Sequence, residues 1–374
     1  MDATVEHEIT ECEQMNEKAE QQERQLPLVV NGIPHFDPGY KFNDKFEIVE
    51  RIGWDDGIGA TYFVQSITDL RALELVMRID NFRDKATTLP LEINLIKEAE
   101  EENKHQLFAQ LYGSGTFLHF GWYCTYFRGG PSLTQIVEFM RSSRSTGAKF
   151  TASTVGRFAE NLYQTTKVNA FWILEFVHQK GNVLCGLNKD MFHFDGASRT
   201  LFLSDLSTIL REPTEQHGMN VKWKGSLQYM PVNWNNNKIP QRNLEVEAIG
   251  YMVLEFALGS LPWDSLPSDD CVAEMSAIYN AKETPDVLTE LPEEYQKFFQ
   301  MIKEISGADE RYESLSSVLE QCKIIYEQLG GCKDLDEDLD FERQPRDDEL
   351  PRFVLERDDL ESLKTAEELD TQTN

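Results

Sequence analysis

The feature that most constrains this chain is a change of hydrophobic period along its length. Between residues 46 and 80 the apolar positions come in short runs rich in β-branched and aromatic residues: FEIVERIG, then a Gly/Asp turn, then ATYFVQSI, then LELVMRI. Runs of this kind around a turn read as a strand hairpin with a third strand following. Trp122 to Phe127 reads as a further strand, and Pro90 to Ala99 (PLEINLIKEA) as a helix with Pro90 in its first turn. From Ser132 onward the pattern is mostly helical, with helices expected over Ser153 to Gln179, Val246 to Leu258, Pro292 to Ile305 and Ser314 to Gln328. A short β patch, Leu201 to Leu206, interrupts them. Strands first and helices afterwards give an α+β chain.

With 374 residues, 40% of them hydrophobic, the chain can bury a sizeable core. Its net charge of −29 argues against nucleic acid and anionic lipid, both of which select for Lys and Arg. It suits basic protein partners, or simply solubility. No apolar stretch is long enough for a membrane-spanning helix. Met1 to Gln25 is charged and has no apolar core of a secretory signal. The cysteines, Cys12, Cys124, Cys185, Cys271, Cys322 and Cys332, form no CxxC pair, so neither a metal site nor a disulfide framework is expected. The expected location is cytoplasmic or nuclear, not secreted.

The ends differ from the middle. Residues 1–42 read as a polar, disordered N-terminal tail with a Pro/Gly-containing approach from Leu26 to Tyr40. Residues 331–374 read as an acidic, disordered C-terminal tail; from Lys333 onward it carries 16 acids and 6 bases. A solvated tail is the plainer account. The sharper one is a tail that folds on a basic partner or lies over a basic groove of its own domain.

Several motifs, in order, resemble a protein kinase of the casein kinase 1 / tau-tubulin kinase group. The longest runs from Tyr229 to Trp263 (YMPVNWNNNKIPQRNLEVEAIGYMVLEFALGSLPW), similar to the group's stretch after the activation loop. LEFVHQKGNVL (Leu174 to Leu184), LPEEYQKFFQMI and DERYESL add to it. The resemblance covers about residues 43–330. It implies a bilobal fold, with a small β-rich N-lobe over about 43–130 and a larger α-helical C-lobe over about 131–330. It also assigns a role to each matching position.

The stretch Ile52 to Gly59 (IGWDDGIG) matches a phosphate-cradling glycine loop, with Gly53, Gly57 and Gly59 as its glycines. Asp55 and Asp56 stand where small residues are expected, and carboxylates repel a polyphosphate; an ordinary hairpin turn is the plainer account. The phosphate-binding Lys matches Arg78, and its helix partner matches Glu92. Arg is not equivalent to Lys, so an ion pair bracing helix to sheet is favoured over phosphate contact. In the catalytic loop the proton-accepting Asp falls on Gly186, the phosphate-contacting Lys on Asn188 and the magnesium-holding Asn on Met191. Glycine carries no base, and a thioether is a poor magnesium ligand. Lys189 and Asp190 stand nearby as candidates for rescue. The magnesium-binding Asp-Phe-Gly matches Asp205-Leu206-Ser207; Asp205 keeps a carboxylate that can touch magnesium or cap its own turn. Lys224 anchors the activation segment, and Glu245 replaces the buried Asp that braces the catalytic loop.

The resemblance therefore implies a pseudokinase with no catalytic residue, no required cofactor and no metal, although low-affinity ATP and magnesium binding stays open. It would act as a scaffold or allosteric regulator on protein partners, an active kinase or a basic protein among them. The alternative is an atypical Ser/Thr kinase with residual ATP binding, using Asp205 and Glu92.

Overall fold

The structure, a computed structural model, describes residues 29–30, 33–55, 59–69, 74–81, 87–143, 149–159, 170–196, 198, 200–213, 221–232, 234, 240–264, 271–283, 286–308, 315–330 and 339–340. The fold is mixed α/β, with an antiparallel sheet and helices. The chain divides into two compact units, Met1–Glu101 with Ala109–Phe127, and Glu102–Phe108 with Arg128–Asn374.

The first unit is rich in strands. A short pair, β1 (Val29–Val30) and β2 (Ile33–Pro34), precedes a six-stranded sheet. The sheet contains β3 (Lys41–Phe42), β4 (Phe46–Asp55), β5 (Gly59–Ser66), β6 (Leu75–Asn81), β7 (Leu111–Phe117) and β8 (Phe120–Tyr126), in the order β3-β4-β5-β6-β8-β7. Every neighbouring pair is antiparallel. Alternate residues point to one face, and this places Ala60, Tyr62 and Val64 of β5, Leu75, Met77 and Ile79 of β6, and Phe120, Trp122 and Cys124 of β8 in one buried cluster. Helix α1 (Leu89–Glu101) packs on β7 and β8, burying Glu92, Leu95, Ile96 and Ala99.

The N-terminal expectation is corrected here. Ile33, Phe36 and Phe42 are buried in the same cluster, so the chain joins the core ten residues before the expected boundary. The Pro/Gly stretch is a tight turn: Tyr40 N donates to Asp37 O at 3.1 Å, and Gly39 takes a φ of 84° that glycine adopts without strain. That turn folds Phe36 back against Tyr40, Phe42 and Tyr62.

The second unit is rich in helices: α2 (Leu133–Ser143), α3 (Ala152–Ala159), α4 (Ala170–Gln179), α5 (Arg242–Leu258), α6 (Cys271–Glu283), α7 (Glu293–Ser306) and α8 (Ser316–Ile325). Two small antiparallel pairs join β9 (Asn182–Leu184) to β12 (Ile209–Arg211) and β10 (Phe192–Asp195) to β11 (Thr200–Leu203). The single helix expected over 153–179 is described as α3 and α4, and residues 160–169 lie outside the described residues. Every residue of α5 from Asn243 to Ala257 is buried, as expected of a helix that is apolar all round. It packs on α3, α4 and α7 and ends at Gly259, whose φ of 88° forms a left-handed cap.

The expected C-terminal tail is corrected as well. Leu339 and Asp340 are buried, and Asp340 is hydrogen-bonded to the start of α3. Among the described residues, no helix is long and apolar enough to cross a membrane.

Candidate functional site

In the strand-rich unit, Arg78 of β6 and Glu92 of α1 come together. Arg78 Nε lies 3.6 Å from Glu92 Oε2, and both side chains are buried. The carboxylate also accepts from Thr88 Oγ1 at 2.5 Å and Tyr123 Oη at 2.8 Å. Thr88 precedes α1 and its carbonyl accepts from Glu92 N, so the start of the helix fixes where the carboxylate points. A buried carboxylate needs partners of this kind. Here they tie α1 to β6 and β8. Gly53 pairs with Thr61 beside an irregularity in the β4–β5 register. Gly59 has a φ of 111°, and a Cβ there would lie 2.6 Å from Ile79 O and 3.4 Å from Arg78 Nη1. Gly57 lies outside the described residues.

The helix-rich unit holds the remaining positions. Cys185 N donates to Thr208 O at 3.0 Å, and Cys185 O accepts from Lys224 N at 2.8 Å. Gly186 O accepts from Thr208 Oγ1 at 3.1 Å. These bonds draw residues 224–225 against the loop. A Cβ on Gly186 would lie 2.2 Å from Gly225 N and 2.6 Å from Lys224 C. Reciprocally, a Cβ on Gly225 would lie 2.4 Å from Leu187 N. Two glycines face each other backbone to backbone, and neither tolerates a side chain. Val183, Cys185, Met230, Trp234 and Leu244 form the apolar cluster around this contact. Burial pushes the Cys185 thiol well above its ordinary range, so it is no nucleophile at neutral pH.

The other loop positions are occupied in structural ways. Asn188 Oδ1 accepts from Met191 N at 3.1 Å and caps the 3₁₀ turn Lys189–Met191. The Met191 side chain is buried. Lys189, a candidate for rescue, donates to Glu255 Oε1 at 2.5 Å. Asp190 is exposed and accepts from Ser132 Oγ at 3.4 Å. Asp205 Oδ1 accepts from Ser207 N at 2.8 Å, closing its own turn. Lys224 is exposed. As donors for ATP-bound magnesium, the matching positions offer Asp205, half engaged in its turn, and a thioether from Met191. That set does not fit a cation that takes oxygen ligands. Among the described residues, no group of three His, Cys, Asp or Glu is placed to hold a metal ion.

Helix α5 braces this region through buried carboxylates. Glu245 Oε2 lies 2.8 Å from His178 Nε2. Burial raises the carboxyl well above its usual range and lowers the imidazole well below its own, which favours the uncharged form of each. Glu247 accepts from Tyr251 Oη at 2.5 Å, from Val232 N at 3.1 Å and from Ser306 Oγ. Glu255 accepts from Lys189 and from Tyr229 Oη. Arg242 clasps Glu212. Sequence reading missed Glu247, Glu255 and Lys282. Lys282 of α6 is buried, donates to Leu227 O and Met230 O at 2.8 Å each, and lies over the rings of Tyr251 and Trp263. The glutamates inside an otherwise apolar helix were the available signal for the first two; Lys282 gave none.

No protein-family model matches the chain. A stretch of 109 residues is 32% identical to a probable serine/threonine-protein kinase of Dictyostelium discoideum, covering 29% of this chain and 21% of that protein. Casein kinase I homolog 2 of Schizosaccharomyces pombe is 23% identical over 195 residues, 48% of this chain and 41% of the relative. Casein kinase I homolog 1 of the same yeast is 23% identical over 219 residues, 55% of this chain and 45% of the relative. The chain thus spans less than half the length of each of these relatives. These similarities support a kinase-like relationship at low identity.

Proposed function

We propose that the chain is a degenerate kinase-like protein, close to the casein kinase 1 / tau-tubulin kinase group, that binds proteins and does not transfer phosphate. The observation that supports it is the contact between Gly186 and Gly225. At the position matched to the proton-accepting Asp there is neither a base nor, at 2.2 Å from a backbone nitrogen, room for one. General base catalysis needs a group within hydrogen-bond reach of the substrate hydroxyl. Met191 in the magnesium position and Lys189 committed to Glu255 point the same way. In this reading the strand-rich and helix-rich units are the two lobes of a kinase-like domain. Its partner is a protein with a basic face, an active kinase included, reached in the cytoplasm or nucleus. The test is phosphotransfer to casein by the purified chain beside its Asp205→Ala variant. Transfer by the wild type that the variant loses would refute the proposal.

A second reading, an atypical Ser/Thr kinase, draws on the retained carboxylates of Asp205 and Glu92. Thermal melts with millimolar ATP and magnesium separate the two. Specific nucleotide binding to the folded state raises the midpoint, and this reading requires a rise that Arg78→Ala removes.

A further inference from the structure

Helix α3 begins with Thr151-Ala152-Ser153-Thr154. Thr151 is its N-cap: Thr151 Oγ1 accepts from Thr154 N at 3.3 Å, and Thr151 O accepts from Val155 N at 2.9 Å. In a capping box, a Glu or Gln at the third helical position reaches back to the N-cap amide. Here that position is Thr154, whose side chain is too short to do so. The missing acceptor comes from 189 residues away: Thr151 N donates to Asp340 Oδ2 at 2.6 Å. The exchange is reciprocal, since Asp340 N donates to Thr154 Oγ1 at 3.1 Å. Leu339 beside it is only 5% exposed and Asp340 4%. An acid at a helix N-terminus also meets the positive end of the helix dipole. Phe150 N, one residue upstream, donates to Phe256 O of α5, so the cap rests on the central helix.

We propose that the start of α3 is a docking site for an acidic Leu-Asp peptide, and that the chain's own Leu339-Asp340 fills it as a latch for the acidic C-terminal segment. The recognition chemistry is a buried leucine beside a carboxylate that completes the helix cap. The same segment carries Leu335-Asp336 four residues earlier and Leu369-Asp370 further on, which provide internal comparisons. The inference does not depend on whether the chain transfers phosphate.

The experiment uses the full chain. In the wild type, hydrogen exchange at the Thr151 amide should be slowed at least tenfold relative to an unprotected amide. In Asp340→Ala and Leu339→Ala that protection should fall, and in Asp336→Ala it should remain. A labelled peptide with the sequence of residues 333–342 should bind the Leu339→Ala/Asp340→Asn chain at least tenfold more tightly than the wild type. Fast exchange of Thr151 in the wild type overturns the proposal without recourse to any variant. Peptide binding that is equal in the two chains, or absent from both, overturns it too, as does equal loss of protection in Asp336→Ala.

Discussion

A methyl group added at Gly186 meets the peptide backbone of residues 224–225, which cannot swing aside as a flexible side-chain tip can. Gly186→Ala and Gly186→Asp should therefore destabilise the chain by about 1–3 kcal/mol, the usual cost of overpacking, measured by urea unfolding. Gly113→Ala, where a Cβ meets nothing within 4 Å, serves as the control and should change little. The Glu245–His178 pair makes a pH prediction. Glu245 keeps its proton in the fold where the unfolded chain releases it. Its contribution is full below the ordinary carboxyl range and is lost as pH rises. His178 stays neutral in the fold. Its contribution is full above the ordinary imidazole value and is lost as pH falls. Glu245→Gln keeps a hydrogen-bonding group that cannot ionise. Thermal melts should show the fall in midpoint between pH 5 and pH 8 shrinking in this variant; an unchanged slope would contradict the neutral pair. At this scale the sequence was informative where a resemblance named the partner, as for Arg78 with Glu92. It was silent on Lys282, because carbonyls and rings recruited from α5 and residues 227–263 leave no pattern on α6 itself.

Among the elements, α6 is pinned to residues 227–230 by the Lys282 ammonium alone of its described side chains with a bond to those carbonyls. Burial lowers this lysine to about 7. A depressed lysine contributes stability that is present above its ordinary value and lost as pH falls toward the folded value. Stability should therefore decline between pH 10 and pH 7 through this group, and Lys282→Met should flatten that decline. The variant also leaves two carbonyls without their donor, at a cost of about 1–3 kcal/mol; urea unfolding across the same pH range reads both effects. The strands β4 to β6 and helix α5 were legible because their signal is local: alternation in the strands and a long apolar run, interrupted by three glutamates, in the helix. The segment at 33–42 was not, because a tight turn between aromatic residues resembles a linker until Phe36 is seen against Tyr62. Leu339-Asp340 was hidden for a different reason. Its partner is a helix cap far away in the chain, and nothing nearby distinguishes it from the acidic residues around it.

For the molecule as a whole, the proposed basic partner would be attracted by a net charge of −29, and salt should weaken that attraction. The kinase-like relationship at low identity, the Glu245–His178 contact and the buried central helix support the proposed reading of a kinase-like scaffold. We propose, above all, that the chain does not transfer phosphate. The most direct test is incorporation of labelled phosphate into casein by the full chain, measured beside Gly186→Asp/Met191→Asn, which restores the two missing side chains by name. Both should stay at the level of a reaction without protein, since the restored Asp has no space beside Gly225. Transfer by either chain that disappears with Asp205→Ala would contradict it.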